Sequence, residues 1–192
     1  MIEYGQLHIV NKPLKKELKM IDLKRTVYLI GKIDHEKTPL VWEKIIEIHS
    51  KDCKDSGKPI NLIINSGGGN AELMFSFYDL VPFLDINLHT IGSGQIGSAA
   101  VIFFCTGRKR VVTPNSHFFF HEGGSSYDHV RITDRDHRYR LDHLKKSNER
   151  YAKIVASKSK LSKEEVIYMM KEEVYIYPPE ALKMGLVDEI VK

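Results

Sequence analysis

The chain has 192 residues and a formal net charge of +4, which allows one domain with a full core and does not by itself mark a nucleic-acid binder. No uninterrupted apolar window reaches the ~18 residues of a membrane-spanning helix, and the first residues lack a basic-then-apolar leader. The only cysteines, Cys53 and Cys105, make no disulfide framework, so a cytoplasmic setting is expected.

Residues 1–24 are polar and lysine-rich and read as an N-terminal arm. The β-branched and aromatic run Arg25–Ile33 predicts a first core strand. Thr38-Pro39 starts a helix, and Leu40, Val41, Ile45, Ile46 and Ile48 give it an apolar stripe through His49. Ile60–Asn65 predicts a short buried strand, stopped by Ser66-Gly67-Gly68-Gly69. Asn70–Leu84 predicts a helix with Leu73, Phe77, Leu80, Val81 and Leu84 on one side and Pro82 near its end. Ile86–Ile91 predicts a third strand, leading into a glycine-rich turn at 92–97. Such alternation implies an α/β fold with a parallel sheet and right-handed crossovers. Ligands of such sheets sit at the carboxyl ends of strands, where both glycine-rich stretches fall.

Ser98 follows, between Gly97 and Ala99, at the start of a buried helix carrying Val101–Phe104. Small neighbours leave its hydroxyl approachable, and a helix start supplies free N–H groups, as a nucleophile requires. Taken alone, so short a motif more often marks a small-residue turn packing against a neighbouring element. Val111-Val112 and His117–His121 predict further strands, the second ending in Glu122-Gly-Gly. Residues 128–160 are highly charged, with Leu141, Leu144, Tyr151, Ile154 and Val155 at helical spacing. They predict a long projecting helix whose sparse apolar face points to self-association, the alternative being a peripheral helix lying on its own domain. Ser162-Lys-Glu-Glu165 is a capping box that opens a helix to about Glu172. Val174–Tyr177, a helix over Pro178–Met184 and a small strand over Leu186–Val191 complete the chain.

Ser98 is the candidate nucleophile and His121 the candidate base of a serine peptidase. His117 shares the strand face of His121, yet no third ligand has sensible spacing, so no metal is expected. Gly67–Gly69 could offer N–H groups to an oxyanion; it lacks both the Lys-Ser/Thr of a P-loop and a dinucleotide fingerprint. No cofactor is expected.

Ile64-Asn-Ser-Gly-Gly-Gly69, Tyr78-Asp79, Gly94-Gln-Ile-Gly-Ser98-Ala, Pro114-Asn-Ser116 with His121, Pro179-Glu-Ala181 and Gly185-Leu-Val-Asp-Glu-Ile190 occur in an order and spacing that resembles the proteolytic subunit of the Clp protease, from about residue 25 to the end. The resemblance implies a Clp/crotonase-like α/β fold of repeated ββα-type units, one domain over 1–192, with a projecting handle helix in 128–160. It implies a serine endopeptidase acting on protein or peptide substrates inside a homo-oligomeric ring, heptameric or doubled. It places Ser98 and His121 as nucleophile and base and the N–H groups of Gly69 and Ala99 as oxyanion donors. The stretches 66–70 and 122–126, with Gly68, Asn70, Glu122, Gly123 and Gly124, would flank a substrate strand.

Several positions depart from the family pattern. The family's catalytic aspartate, six residues before Pro-Glu-Ala, falls on Glu173, and the arginine usual beside it is Glu172. The pocket that receives loops of the AAA+ unfoldase carries Asn61, Ile63, Ser93, Val111 and Thr113. A catalytically impaired structural or regulatory subunit and a crotonase-type acyl-CoA enzyme are the alternative readings. The Asn-Ser-Gly-Gly and Gly-Gln-x-x-Ser-Ala pairing favours the peptidase.

Overall fold

The computed structural model describes residues 21–51, 57–124 and 133–191. Most of the N-terminal arm, Cys53, the end of the stretch 122–126 and the beginning of the region 128–160 lie outside the described residues. The elements run β1 (Thr26–Ile30), α1 (Lys37–Ser50), β2 (Ile60–Ser66), α2 (Ala71–Phe83), β3 (Leu88–Gly97), α3 (Ala99–Cys105), β4 (Lys109–Val112), β5 (His117–Phe119), α4 (Asp134–Ser157), α5 (Lys163–Lys171), β6 (Tyr175–Ile176), α6 (Pro178–Lys183) and β7 (Glu189–Ile190).

The sheet order is β1-β2-β3-β4-β7, all parallel. β2 explains the arrangement: Ile60, Leu62, Ile64 and Ser66 are buried on one face, the period-two pattern of a strand inside a covered sheet. α1 turns Val41, Ile45 and Ile48 inward, a narrower stripe than the sequence suggests, since Leu40 and Ile46 are exposed. α2 buries Met74, Phe75, Phe77 and Val81, leaves Leu80 and Leu84 partly in solvent, and contains Pro82 in its last turn. α3 is buried at every residue, which is possible because it sits between the sheet and α2; Phe103 stacks on Phe77 at 4.1 Å between ring centroids.

Two expectations are corrected. Residues 92–97 are not a turn but the second half of β3. β3 pairs with β2 and β4 as far as Gly92, then irregularly with β2 again at Ile96. Its last residues instead pair with β5, Gln95 opposite His117 and Gly97 opposite Phe119. Gly92 and Gly94 are there for close approach: a Cβ on Gly92 would lie 2.8 Å from Ile96 Cδ1, and one on Gly94 2.9 Å from Asn65 Oδ1.

The second correction concerns α4. Of its apolar positions, Tyr151 and Val155 are buried in the chain's own core and Ile154 packs against it, while Leu141 is 52% exposed. Only the first half of this 24-residue helix is free of the core. That half is stabilised locally, by a capping box between Thr133 and Asp136 and by i,i+4 ion pairs of Arg138 with Asp134 and Lys146 with Asp142.

The carboxyl-terminal segment is held by Arg110 on β4. Its guanidinium pairs with Asp188 at 2.9 Å and donates to the carbonyls of Gly185 and Lys158.

Candidate active site

Ser98 joins β3 to α3 with φ 51° and ψ −123°, a backbone conformation rarely taken by residues other than glycine. Bonds on both sides of the residue hold it there. Its N–H donates to Phe119 O at 2.8 Å, which extends the β3–β5 pairing by one residue. Its carbonyl accepts from Tyr151 Oη at 3.1 Å, and Tyr151 is a buried residue of α4. Burial pushes the Tyr151 hydroxyl well above its usual pKa, so it remains a donor. The Ser98 hydroxyl makes no capping bond to α3 and is half-exposed. The first N–H groups of α3, beginning with Ala99, therefore have no side-chain cap.

Gly67, Gly68 and Gly69 leave β2 and run beside this elbow. Gly68 N–H donates to Ser66 Oγ at 3.1 Å. Gly68 O accepts from Ile33 N and Asn70 N–H donates to Ile33 O, both at 2.9 Å, so the strap forms a one-residue parallel bridge between Gly69 and Ile33. In a parallel bridge the central residue's own N–H points away from the partner strand, which leaves the Gly69 N–H directed off this ladder. Gly68 and Gly69 have φ of 103° and 152°. A Cβ on Gly68 would stand 2.7 Å from Ser98 Cβ and 2.9 Å from Ala99 N; one on Gly69 would stand 2.1 Å from Ile33 O. Only glycines can occupy these positions with this backbone. The N–H groups of Gly69 and Ala99 have no acceptor among the described residues. Asn70 then caps α2, accepting from Leu73 N at 3.0 Å, while its Nδ2 lies 3.3 Å from His35 Nε2.

His121 follows β5 and is half-exposed. Its Nδ1 lies 2.7 Å from Glu122 O. A carbonyl oxygen can only accept, so Nδ1 carries the proton and Nε2 of the neutral ring is left as the acceptor. The imidazole stacks on Phe119 with centroids 5.3 Å apart. Beyond it, Gly123 N–H donates to Asn148 Oδ1 of α4 at 3.0 Å, while Glu122 and Gly124 are exposed.

Glu173 ends α5 in a left-handed conformation, φ 52°. The bonds Val174 N to Met169 O and Glu173 N to Met170 O form a Schellman motif, a position usually filled by glycine. Its carboxylate is exposed and has no hydrogen bond or ion pair among the described residues. The structure thus brings Ser98, Ala99 and Gly68 together, with Gly69 next to them and His121 two residues beyond the strand that pairs with the elbow. It does not bring the Glu173 carboxylate onto Nδ1, which is occupied by Glu122 O. Among the described residues there is no group of three or more metal-ligating side chains and no helix long and apolar enough to cross a membrane.

Sequence reasoning missed Tyr151, Asn148, Phe119 and His35. Tyr151 has a signal in retrospect, as the large polar-tipped member of the α4 stripe. The contacts of Asn148 and His35 are long-range and leave no local pattern.

These features define a class: α/β proteins with a serine at a strained strand-to-helix elbow, faced by a glycine strap with unused N–H donors. Comparison with known proteins narrows the class. The Clp protease family profile matches residues 12–192, and the chain belongs to that family. It is 26% identical over 170 residues to ATP-dependent Clp protease proteolytic subunit 2 of Treponema denticola, covering 88% of this chain and 82% of that protein. It is 27% identical over 182 residues to proteolytic subunit 3 of Rhizobium etli, covering 93% and 90%. Among solved structures, a ClpP1 point mutant from Listeria monocytogenes superposes with a TM-score of 0.77 at 23% identity, over 88% of this chain and 92% of that one, a likeness of fold.

Proposed function

We propose that the chain is a serine endopeptidase of the Clp type, working inside a ring of its own copies. The observation that carries this reading is the approach of Gly68 to Ser98 and Ala99, within the width of one Cβ. It brings the strap that carries Gly69 against the serine and Ala99, and the N–H groups of Gly69 and Ala99 have no acceptor among the described residues. Family membership supports a Clp-like peptidase; the residue roles that follow are our assignment.

His121 Nε2 takes the Ser98 hydroxyl proton as Oγ attacks the scissile carbonyl. The resulting oxyanion is received by the N–H groups of Gly69 and Ala99, and each such donor lowers the barrier by about 3–4 kcal/mol. The imidazolium then gives its Nε2 proton to the leaving amine, and an acyl-Ser98 enzyme remains. Water enters, loses a proton to Nε2 and releases the acid, which restores the Ser98 hydroxyl. The proton on Nδ1 stays in place throughout. In the structure its acceptor is Glu122 O; we assign Glu173 as the carboxylate that takes over this bond in the working enzyme. A peptide strand would lie between Gly68–Asn70 and Glu122–Gly124, paired through main-chain bonds. An AAA+ unfoldase feeding the ring belongs to this reading, through a docking pocket altered at Asn61 and Ile63.

A fluorophosphonate probe tests the assignment. Covalent labelling of Ser98 in the assembled protein, lost in His121→Ala, is expected. Absence of labelling in every assembled form would instead favour a structural subunit.

A further inference from the structure

Alternation along β5 and the two extended residues after it places His117, Phe119 and His121 on one side, and the antiparallel partner β6 sets Tyr175 opposite Phe119. The rings form a continuous stack. His121 lies on Phe119 at 5.3 Å and 24°, and Phe119 lies on Tyr175 at 4.4 Å and 25°. His117 tilts against Tyr175 at 5.7 Å on the other side. Phe119 thus touches both members of the candidate pair: its carbonyl accepts the Ser98 N–H, and its ring backs the His121 imidazole.

A half-exposed histidine has two free side-chain torsions. The bond from Nδ1 to Glu122 O restrains one point of the ring and sets the tautomer, but the ring can still rotate about that bond. A flat aromatic surface against its face removes this remaining freedom. Tyr175, two residues beyond Glu173, backs Phe119 in turn and ties the ring's support to the strand that follows α5.

We infer that Phe119, backed by Tyr175, is a positioning residue for His121: the stack fixes the plane of the imidazole and with it the direction in which Nε2 is presented. Phe119 would act through the His121 ring that it backs, and Tyr175 through Phe119. The inference rests on the peptidase reading for its kinetic consequence. Its structural content, a restrained imidazole, stands on the geometry alone. An ordinary cross-strand aromatic pair would stabilise the β5–β6 ladder and do nothing to His121.

The test uses Phe119→Leu, Tyr175→Leu, and the ring-preserving Phe119→Tyr and Tyr175→Phe in the assembled protein. Fluorophosphonate labelling of Ser98 and peptide turnover should slow roughly 10–100-fold in Phe119→Leu, with kcat falling and KM held, since misplacement of a reacting group acts on the chemical step. Tyr175→Leu should lose less, and both ring-preserving variants should return to the parental rate. The double Leu variant should lose less than the product of the two single effects, as expected for groups acting through one contact. The second readout is NMR of 13C-labelled histidine, in which the ring-current displacement of the His121 Cε1–H resonance should vanish in Phe119→Leu. Parental labelling with an equal rate in Phe119→Leu overturns the inference and leaves the peptidase reading intact. An unlabelled parent overturns the peptidase reading. In that case the His121 resonance still decides the stack, and a signal unchanged by Phe119→Leu would overturn it as well.

Discussion

His121 and Glu173 are the next residues on their two strand segments beyond the last bond of the β5–β6 pairing, Phe120 N to Val174 O at 3.0 Å. The register therefore sets the base opposite the acidic residue, even though the carboxylate points to solvent and Nδ1 is bonded to Glu122 O. The backbone supplies the juxtaposition of the two residues, while their side chains make no contact with each other.

Two substitutions at Glu173 separate its backbone role from its chemical one. Glu173→Gly relieves the left-handed conformation and should raise stability by about 1 kcal/mol in urea unfolding. Glu173→Gln should leave stability unchanged. Both should reduce peptide turnover by at least ~10-fold if the carboxylate orients the imidazole, and the loss at an equivalent position can reach ~10⁴. Parental turnover in Glu173→Gln would assign the orienting role to Glu122 O.

Gly68→Ala puts a methyl group against Ser98 Cβ and Ala99 N. The expected cost is about 1–3 kcal/mol from overpacking, together with loss of turnover of roughly 100-fold or more because the donors and the serine are pushed apart. Thermal unfolding and peptidase assays on the same sample would check both. Full activity in a folded Gly68→Ala protein would refute the tight approach.

Most of the fold was legible in the sequence because its signals are local. The period-two burial of β2, the Ser162–Glu165 capping box and the buried run of α3 each specify an element without reference to the rest. Gly92–Gly97 was misleading for a physical reason. A glycine that admits a neighbour's side chain and a glycine that turns the chain are the same letter, and only the presence of Ile96 and Asn65 beside Gly92 and Gly94 distinguishes them. The α4 stripe was ambiguous in the same way, since helical spacing does not say whether an apolar face meets the chain's own core or another molecule. Ser98, His121 and the strap could be singled out as candidates because they lie at strand ends in recognisable order. Phe119, which contacts both, reads only as a strand residue.

Cys105 gives a prediction with a definite sign. Full burial pushes its thiol up to about 12. Its folded pKa lies above the unfolded one, so its contribution to stability is complete below about pH 8.5 and is lost as pH rises toward 12, by about 1.4 kcal/mol per unit. Urea unfolding at stepped pH should show this alkaline decline, and Cys105→Ala should flatten it. The native thiol should resist iodoacetamide at pH 8 until denaturant is added.

Arg110→Lys keeps the charge near Asp188 but removes the planar fork that reaches two carbonyls as well. With the arginine side chain only 13% exposed, the orphaned acceptors should cost about 1–3 kcal/mol in thermal unfolding. A melting temperature equal to the parent's would show that the carboxyl-terminal segment does not depend on this anchor.

The bridge between Gly69 and Ile33 also bears on how a ligand would be received. A loop already bonded to the sheet, capped by Asn70 and closed to side chains on both faces, has lost its conformational entropy during folding, at about 1–2 kcal/mol per residue. An arriving peptide need supply none of that ordering. Binding calorimetry should therefore report a heat-capacity change that follows the peptide's own apolar content, with no constant contribution from ordering the receptor.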